Sequence, residues 1–141
     1  MRNDRTASAR QSIVLAVAAV ALVALAAVVY LRTRPAPIPS VDEGRPVVEQ
    51  FLTSIRTGKG GEAWDTTTAE FKSLEGRESF VRSTRKQPLL KEELAFYSAQ
   101  EVTVQDQPRR EYIYQSPKSG TQARVLLGAE GGVWKVDRLT L

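Results

Sequence analysis

Glu93-Leu94-Ala95-Phe96-Tyr97-Ser98-Ala99-Gln100-Glu101-Val102-Thr103-Val104-Gln105 is where the chain changes period, and that change decides the fold. Leu94, Phe96, Val102 and Val104 fall on one side of a two-residue alternation, with Ala95, Tyr97, Ala99 and Thr103 on the other, as a long strand requires. Asp106-Gln107-Pro108 then predicts a turn, and Arg110 to Gln115 a second strand with Tyr112 and Tyr114 on one face and Ile113 opposite. Ser116-Pro117-Lys118-Ser119-Gly120 turns the chain again into a third strand, Gln122 to Leu127. Glu130-Gly131-Gly132 is a hairpin turn, and Val133 to Leu141 is the fourth strand.

Ahead of this change the apolar spacing is helical. Val47, Phe51 and Ile55, with Val48 and Leu52 beside them, recur three and four apart behind Pro46, predicting an amphipathic helix over 46–57. Thr57-Gly58-Lys59-Gly60-Gly61 stops it. The cluster is no phosphate loop: the first Gly is missing, Gly60 stands where Ser or Thr should follow the Lys, and a helix precedes it instead of a strand. A short second helix is expected over 62–68 around Ala63 and Trp64, followed by Ala69-Glu70-Phe71-Lys72. After Gly76, Phe80, Val81 and Thr84 mark a third, stopped ahead of Pro88. Helices first and an antiparallel meander afterwards give an α+β domain over 45–141, with three helices packed on a curved sheet of four strands.

Upstream lies Ile13 to Leu31, nineteen residues without a charge. As a helix this run is about 29 Å long against a hydrocarbon core of about 30 Å, so it reads as one membrane crossing, a signal-anchor. Residues 1–12 form a short basic tail. Arg2, Arg5 and Arg10 precede the span and Arg32 and Arg34 follow it, so the positive-inside rule puts the N-terminus in the cytoplasm and the domain outside it. The alternative is a secreted domain, released by cleavage at Ala24-Leu25-Ala26; the apolar run continues past that site through Val28, Val29 and Leu31. Pro35, Pro37 and Pro39 make 32–44 a stiff linker.

The formal charge of +4 belongs to this N-terminal region, because residues 35–141 hold fifteen basic and fifteen acidic side chains. That balance argues against a nucleic-acid face. The chain contains no Cys and no His, which excludes disulfides, thiolate and imidazole metal sites, Cys nucleophiles and His-based proton transfer. No cofactor and no metal is expected. Arg82, Arg85 and Lys86 gather on the outer face of the third helix, candidates for contact with an anionic surface or else a plain solvated face.

The order of elements resembles the cone-shaped nuclear-transport-factor-two-like superfamily, in particular its small bacterial envelope members. The residues that carry the likeness are Pro46-Val47-Val48-Glu49-Gln50-Phe51-Leu52, the turn Gly58 to Gly61, Trp64, Ala69-Glu70-Phe71-Lys72, Glu78-Ser79-Phe80-Val81, and the closing Gly131-Gly132-Val133-Trp134-Lys135-Val136. The resemblance implies a cone whose interior Phe51, Trp64, Asp65, Phe80, Tyr97, Tyr112 and Tyr114 are candidates to line. In the ketosteroid-isomerase-like enzymes of the superfamily, an Asp base and Tyr donors act inside such a cone. Nothing in the spacing here shows Asp65 and the tyrosines converging; Asp65 as a solvated helix residue and the tyrosines as sheet residues are the plain alternatives. In layout the chain is similar to the membrane-anchored cone domains of type IV secretion scaffolds and of Mce-associated membrane proteins, whose work is protein contact. The expectation is a non-catalytic binding or assembly domain at the cell envelope, with an envelope protein or a second copy as partner. The alternative is an enzyme or small-molecule binder using the cone.

Overall fold

The computed structural model describes residues 19–30 and 37–141. The basic tail, part of the apolar run and residues 32–36 of the Pro-rich segment lie outside the described residues. Two compact units divide at Pro35 and Ala36. In the first, residues 19–30 are helical (α1). Among the described residues no helix is long and apolar enough to cross a membrane.

The second unit is α+β, with helices packed on a four-stranded antiparallel sheet. It opens with α2 (Val41–Arg56), five residues earlier than the sequence predicts. Ser40 explains the start. Its hydroxyl accepts from the Glu43 backbone at 3.2 Å, while the Glu43 carboxylate accepts from the Ser40 backbone at 2.9 Å, a reciprocal capping box. Pro46 therefore sits inside the helix and not at its first turn. The expected linker also ends sooner. Pro39 is fully buried, its carbonyl accepts from Arg110 Nε at 3.1 Å, and the Ser40 carbonyl accepts from the Tyr112 hydroxyl at 2.9 Å.

The capping bonds hold Glu43 below the ordinary carboxylate range, the bond to the Ser40 backbone contributing most. A depressed carboxylate contributes stability at pH above its unfolded value of about 4.3 and loses it as the pH falls through its folded value. Ser40→Ala is expected to cost about 1 kcal/mol near neutral pH. Urea unfolding should show that cost shrinking as the pH is taken below about 4.

Three helices follow where two were expected. They are α3 (Gly60–Asp65), α4 (Ala69–Leu74) and α5 (Arg77–Lys86), with a single 3-10 turn at Leu89–Lys91. α4 is a separate element because Thr68 caps it, accepting from Phe71 N at 3.1 Å. Val48, Phe51, Leu52 and Ile55 from α2 meet Phe71 from α4, Phe80 from α5 and Leu90 over the sheet residues Tyr112, Tyr114, Val125, Leu127 and Val136. Phe80 is the hub, 6.0 Å from the Phe51 ring and edge-on to Phe71 at 5.5 Å.

The strands β1 (Ala95–Val104), β2 (Gln107–Gln115), β3 (Gln122–Glu130) and β4 (Val133–Thr140) pair in sequence order. Two departures from the sequence reading matter. The first turn is tighter than expected: Gln105 and Asp106 take positive φ of 51° and 59°, and Pro108 already pairs within β2. The second is a bulge in β1. Phe96 opposes Tyr114 and Ser98 opposes Ile113, so Tyr97 has no opposite residue and the alternation flips behind it. Ala99 consequently joins Phe96 against the core, while Val102 and Val104 turn to the far face beside Leu126. A like irregularity leaves Asp137 unopposed in β4. Its carboxylate is buried and accepts from the Thr68 hydroxyl at 2.7 Å, and Thr68 N donates to the Val136 carbonyl at 2.9 Å. These bonds lock the segment between α3 and α4 onto the sheet.

Candidate functional site

One stripe of α2 faces away from the packed core. Arg45, Glu49, Thr53 and Arg56 recur at helical spacing beside Leu52, and the start of β1 lies opposite with Leu94, Ala95 and Phe96. Leu90, Glu92 and Glu93 close one end, and Tyr114 forms the floor of a cleft of about 620 Å³. Glu49 is its polar centre. Its Oε1 accepts from Arg45 Nε at 2.7 Å and from the Tyr114 hydroxyl at 3.3 Å. The Arg45 guanidinium lies 4.6 Å above the Phe96 ring, which meets Tyr114 edge-on at 5.6 Å. Glu92 is held from the other side by the buried Ser116 hydroxyl, which also accepts from the Lys118 and Ser119 backbones at 3.1 Å and so sets the turn after β2.

Of the seven side chains that are candidates to line the cone, only Tyr114 reaches this cleft. Phe51, Phe80 and Tyr112 are consumed by the core, where close packing fills the space they were expected to border. Trp64 is half-buried; its Nε1 donates to the Glu75 carbonyl at 2.8 Å, and the Lys72 ammonium sits 5.1 Å above its ring. Asp65 faces solvent and pairs with Arg77 at 3.3 Å. Tyr97, 62% exposed, is put outside by the bulge. Asp65 and the three tyrosines therefore do not converge. The residues missing from the sequence reading are Arg45, Glu49, Thr53, Arg56, Glu92 and Glu93. A polar stripe at helical spacing was there to be seen on α2, but its partners lie some sixty-five residues on, at Tyr114.

No family model matches this chain, and no curated protein matches it.

What the cleft can do follows from its charges. Arg45 is already committed to Glu49 and Phe96, while Arg56, Glu93 and Thr53 offer a cation, an anion and a hydroxyl over an apolar floor. That suits a ligand or side chain bearing both polar and apolar groups. Burial pushes the Tyr114 phenol up, with the negative charge of Glu49 adding to it, so Tyr114 acts as a neutral hydrogen-bond donor. Burial raises Tyr112 as well. Among the described residues no group of three acidic side chains is placed to hold a metal ion.

The two tyrosines give a signed pH dependence. Each phenol ionises less readily folded than unfolded, so its contribution is whole below the unfolded value of about 10. It is lost as the pH climbs beyond that point, because the unfolded chain gains a charge that the folded one resists. The unfolding free energy measured between neutral pH and strong alkali should decline more steeply for the native chain than for Tyr112→Phe/Tyr114→Phe. Parallel declines would remove these two groups from the linkage.

Proposed function

We propose that this protein is a single-pass, membrane-tethered domain outside the cytoplasm, with a non-catalytic binding or assembly role at the cell envelope. The observation that carries the reading is the state of α1. Its side chains are wholly apolar over residues 19–29, and they stand exposed, Leu22 at 66% and Val23 at 70%. An apolar surface of this continuity calls for lipid or a partner, at about 25 cal/mol for each Å² removed from water. The charge division supports lipid. All the net basicity of the chain flanks this run, as expected for arginines at headgroup level.

We read the second unit as a small cone-like domain of nuclear-transport-factor-two-like type. Support comes from the element order and from the two register shifts in β1 and β4, a feature that bends strands in curved sheets. A binding role is supported by how the side chains are spent: Tyr112 is tied to the Ser40 backbone, Asp65 to Arg77, and the cleft presents a mixed polar and apolar surface at the flank of α2. A second reading, a small-molecule binder, draws on the same cleft, where Tyr114 and Arg45 converge on one carboxylate oxygen.

A chain without cysteine makes the topology directly testable. Lys118→Cys places a single thiol in the exposed turn between β2 and β3. In intact cells it should react with a membrane-impermeant maleimide, and the labelled chain should resist alkaline carbonate and keep its full N-terminal mass. Extraction by carbonate, shielding of the thiol, or loss of the first residues up to Ala26 would each overturn the tethered reading.

A further inference from the structure

We propose that the exposed face of α5 is a docking surface for an anionic bilayer, an inference that rests on the tethered reading above. Arg77, Arg82, Arg85 and Lys86 border a shallow depression of about 530 Å³ floored by Val81, with Glu78 the acid among them. Arg77 is engaged by Asp65. Arg82, Arg85 and Lys86, three and four residues apart on one exposed arc, form no ion pair or side-chain hydrogen bond with any described residue. Of the neighbouring acids, Glu75 accepts from the Ser79 and Ser83 hydroxyls at 3.3 and 3.0 Å and Glu62 pairs with Lys59 at 3.7 Å, while Glu78 stands exposed beside the three cations and offsets one of them. Arg82, Arg85 and Lys86 are thus a cluster of cations without an ion-pair partner among the described residues.

On the tethered reading, the reach of the face is set by chain length. Gly60, four residues past Arg56 at the end of α2, lies against α5; a Cβ there would stand 3.5 Å from Thr84 Oγ1 and 3.6 Å from Val81 Cγ2. α5 is therefore at the opposite end of α2 from Ser40, where the tether enters. α2, with 16 residues, is about 24 Å long, and the seven residues 32–38 ahead of the buried Pro39 have a contour length of about 24 Å. The tether is long enough to let the far end of α2 meet the headgroups. It is also short enough to keep the local concentration of headgroups high, so weak attractions suffice. The occupant is a lipid surface rather than a nucleic acid: the arc carries long flexible cations and no aromatic on which a base would stack.

The test uses the full chain in vesicles. Ser79→Cys, on the same arc, takes a donor dye, and the lipid headgroups carry the acceptor. Energy transfer should be stronger in phosphatidylcholine vesicles containing phosphatidylglycerol than in phosphatidylcholine alone, and should fall at high salt. Arg82→Ala/Arg85→Ala/Lys86→Ala should lower the ratio of docked to undocked domain on the order of 100-fold without releasing the chain from vesicles. Glu78→Lys should raise that ratio, and it keeps the test sound if the triple variant unfolds. Equal transfer in both vesicle types, or indifference to all four substitutions, overturns the proposal. Abolition of transfer by inorganic phosphate at constant ionic strength also overturns it, in favour of a free-phosphate site. If the chain does not stay with phosphatidylcholine vesicles, the tether has failed. Salt-sensitive binding to phosphatidylglycerol vesicles that the triple variant loses then still upholds the docking face, and binding that the variant keeps refutes it.

Discussion

Phe80→Ala is expected to lower the unfolding free energy of the second unit by about 4 kcal/mol, the middle of the range for a buried aromatic reduced to a methyl group. Phe80 is 1% exposed and its ring touches both Phe51 and Phe71, from two other helices. Removing it leaves a cavity that three separate helices border. Collapse would require moving α2, and α2 is held at its N-terminal end by the bond from Tyr112 to Ser40. Little relaxation is therefore available, and the cavity penalty adds to the lost transfer energy. A domain of this size has a total stability of only about 5 to 15 kcal/mol, so the variant should be marginal. The two tryptophans, Trp64 and Trp134, both lie in this unit and report its unfolding by fluorescence in urea. Phe80→Leu, which keeps most of the volume, should cost about 1.5 kcal/mol or less. Equal losses for the two substitutions would mean that α5 is not packed as described.

What the sequence makes legible here follows local pattern. The strands were readable because Tyr112, Tyr114, Val125, Leu127 and Val136 keep a two-residue alternation, and Gly131-Gly132 supplies the two positive φ values that its hairpin needs. The start of α2 was also written locally, as Ser40-Val41-Asp42-Glu43, but the prolines around it suggested a linker and Pro46 looked like a first turn. A six-residue helix such as α4 is too short for its periodicity to show. The bulge at Tyr97 was not legible at all. One extra residue carries no compositional mark, yet it reverses the facing of every residue after it, so simple alternation puts Val102 and Val104 on the wrong side. The cleft failed for a different reason. Glu49 and Tyr114 meet only because α2 lies across β2, a relation between distant segments that neither segment encodes alone. Phe51, Phe80 and Tyr112, candidates to line a chamber, fill the core instead, since a small domain needs its largest apolar side chains there.

Gly44→Ala should be nearly as damaging, at about 3 kcal/mol, although alanine is ordinarily the better helix former by about 1 kcal/mol. Gly44 lies in α2 and is buried against the sheet. A Cβ at this position would fall 2.0 Å from the Tyr112 hydroxyl oxygen, 2.5 Å from its Cζ and 2.8 Å from Leu127 Cδ1. Two of these atoms belong to a ring with no exposed surface, which has nowhere to turn. Relief must come from lifting α2 off β2, and that would break the bond from Tyr112 to the Ser40 carbonyl and disturb the cap beside it. The interaction can be isolated by a double-mutant cycle. Tyr112→Phe alone should cost about 1 kcal/mol, for one hydrogen bond lost. Combined with Gly44→Ala, the total should fall short of the sum by about 1 kcal/mol or more, because the phenol oxygen that makes the closest clash is gone. Strict additivity in urea unfolding would mean that Gly44 does not carry the contact between α2 and the sheet. A stabilising Gly44→Ala would mean that helix propensity outweighs the contact, and that α2 stands further from β2 than the Tyr112 bond to Ser40 requires.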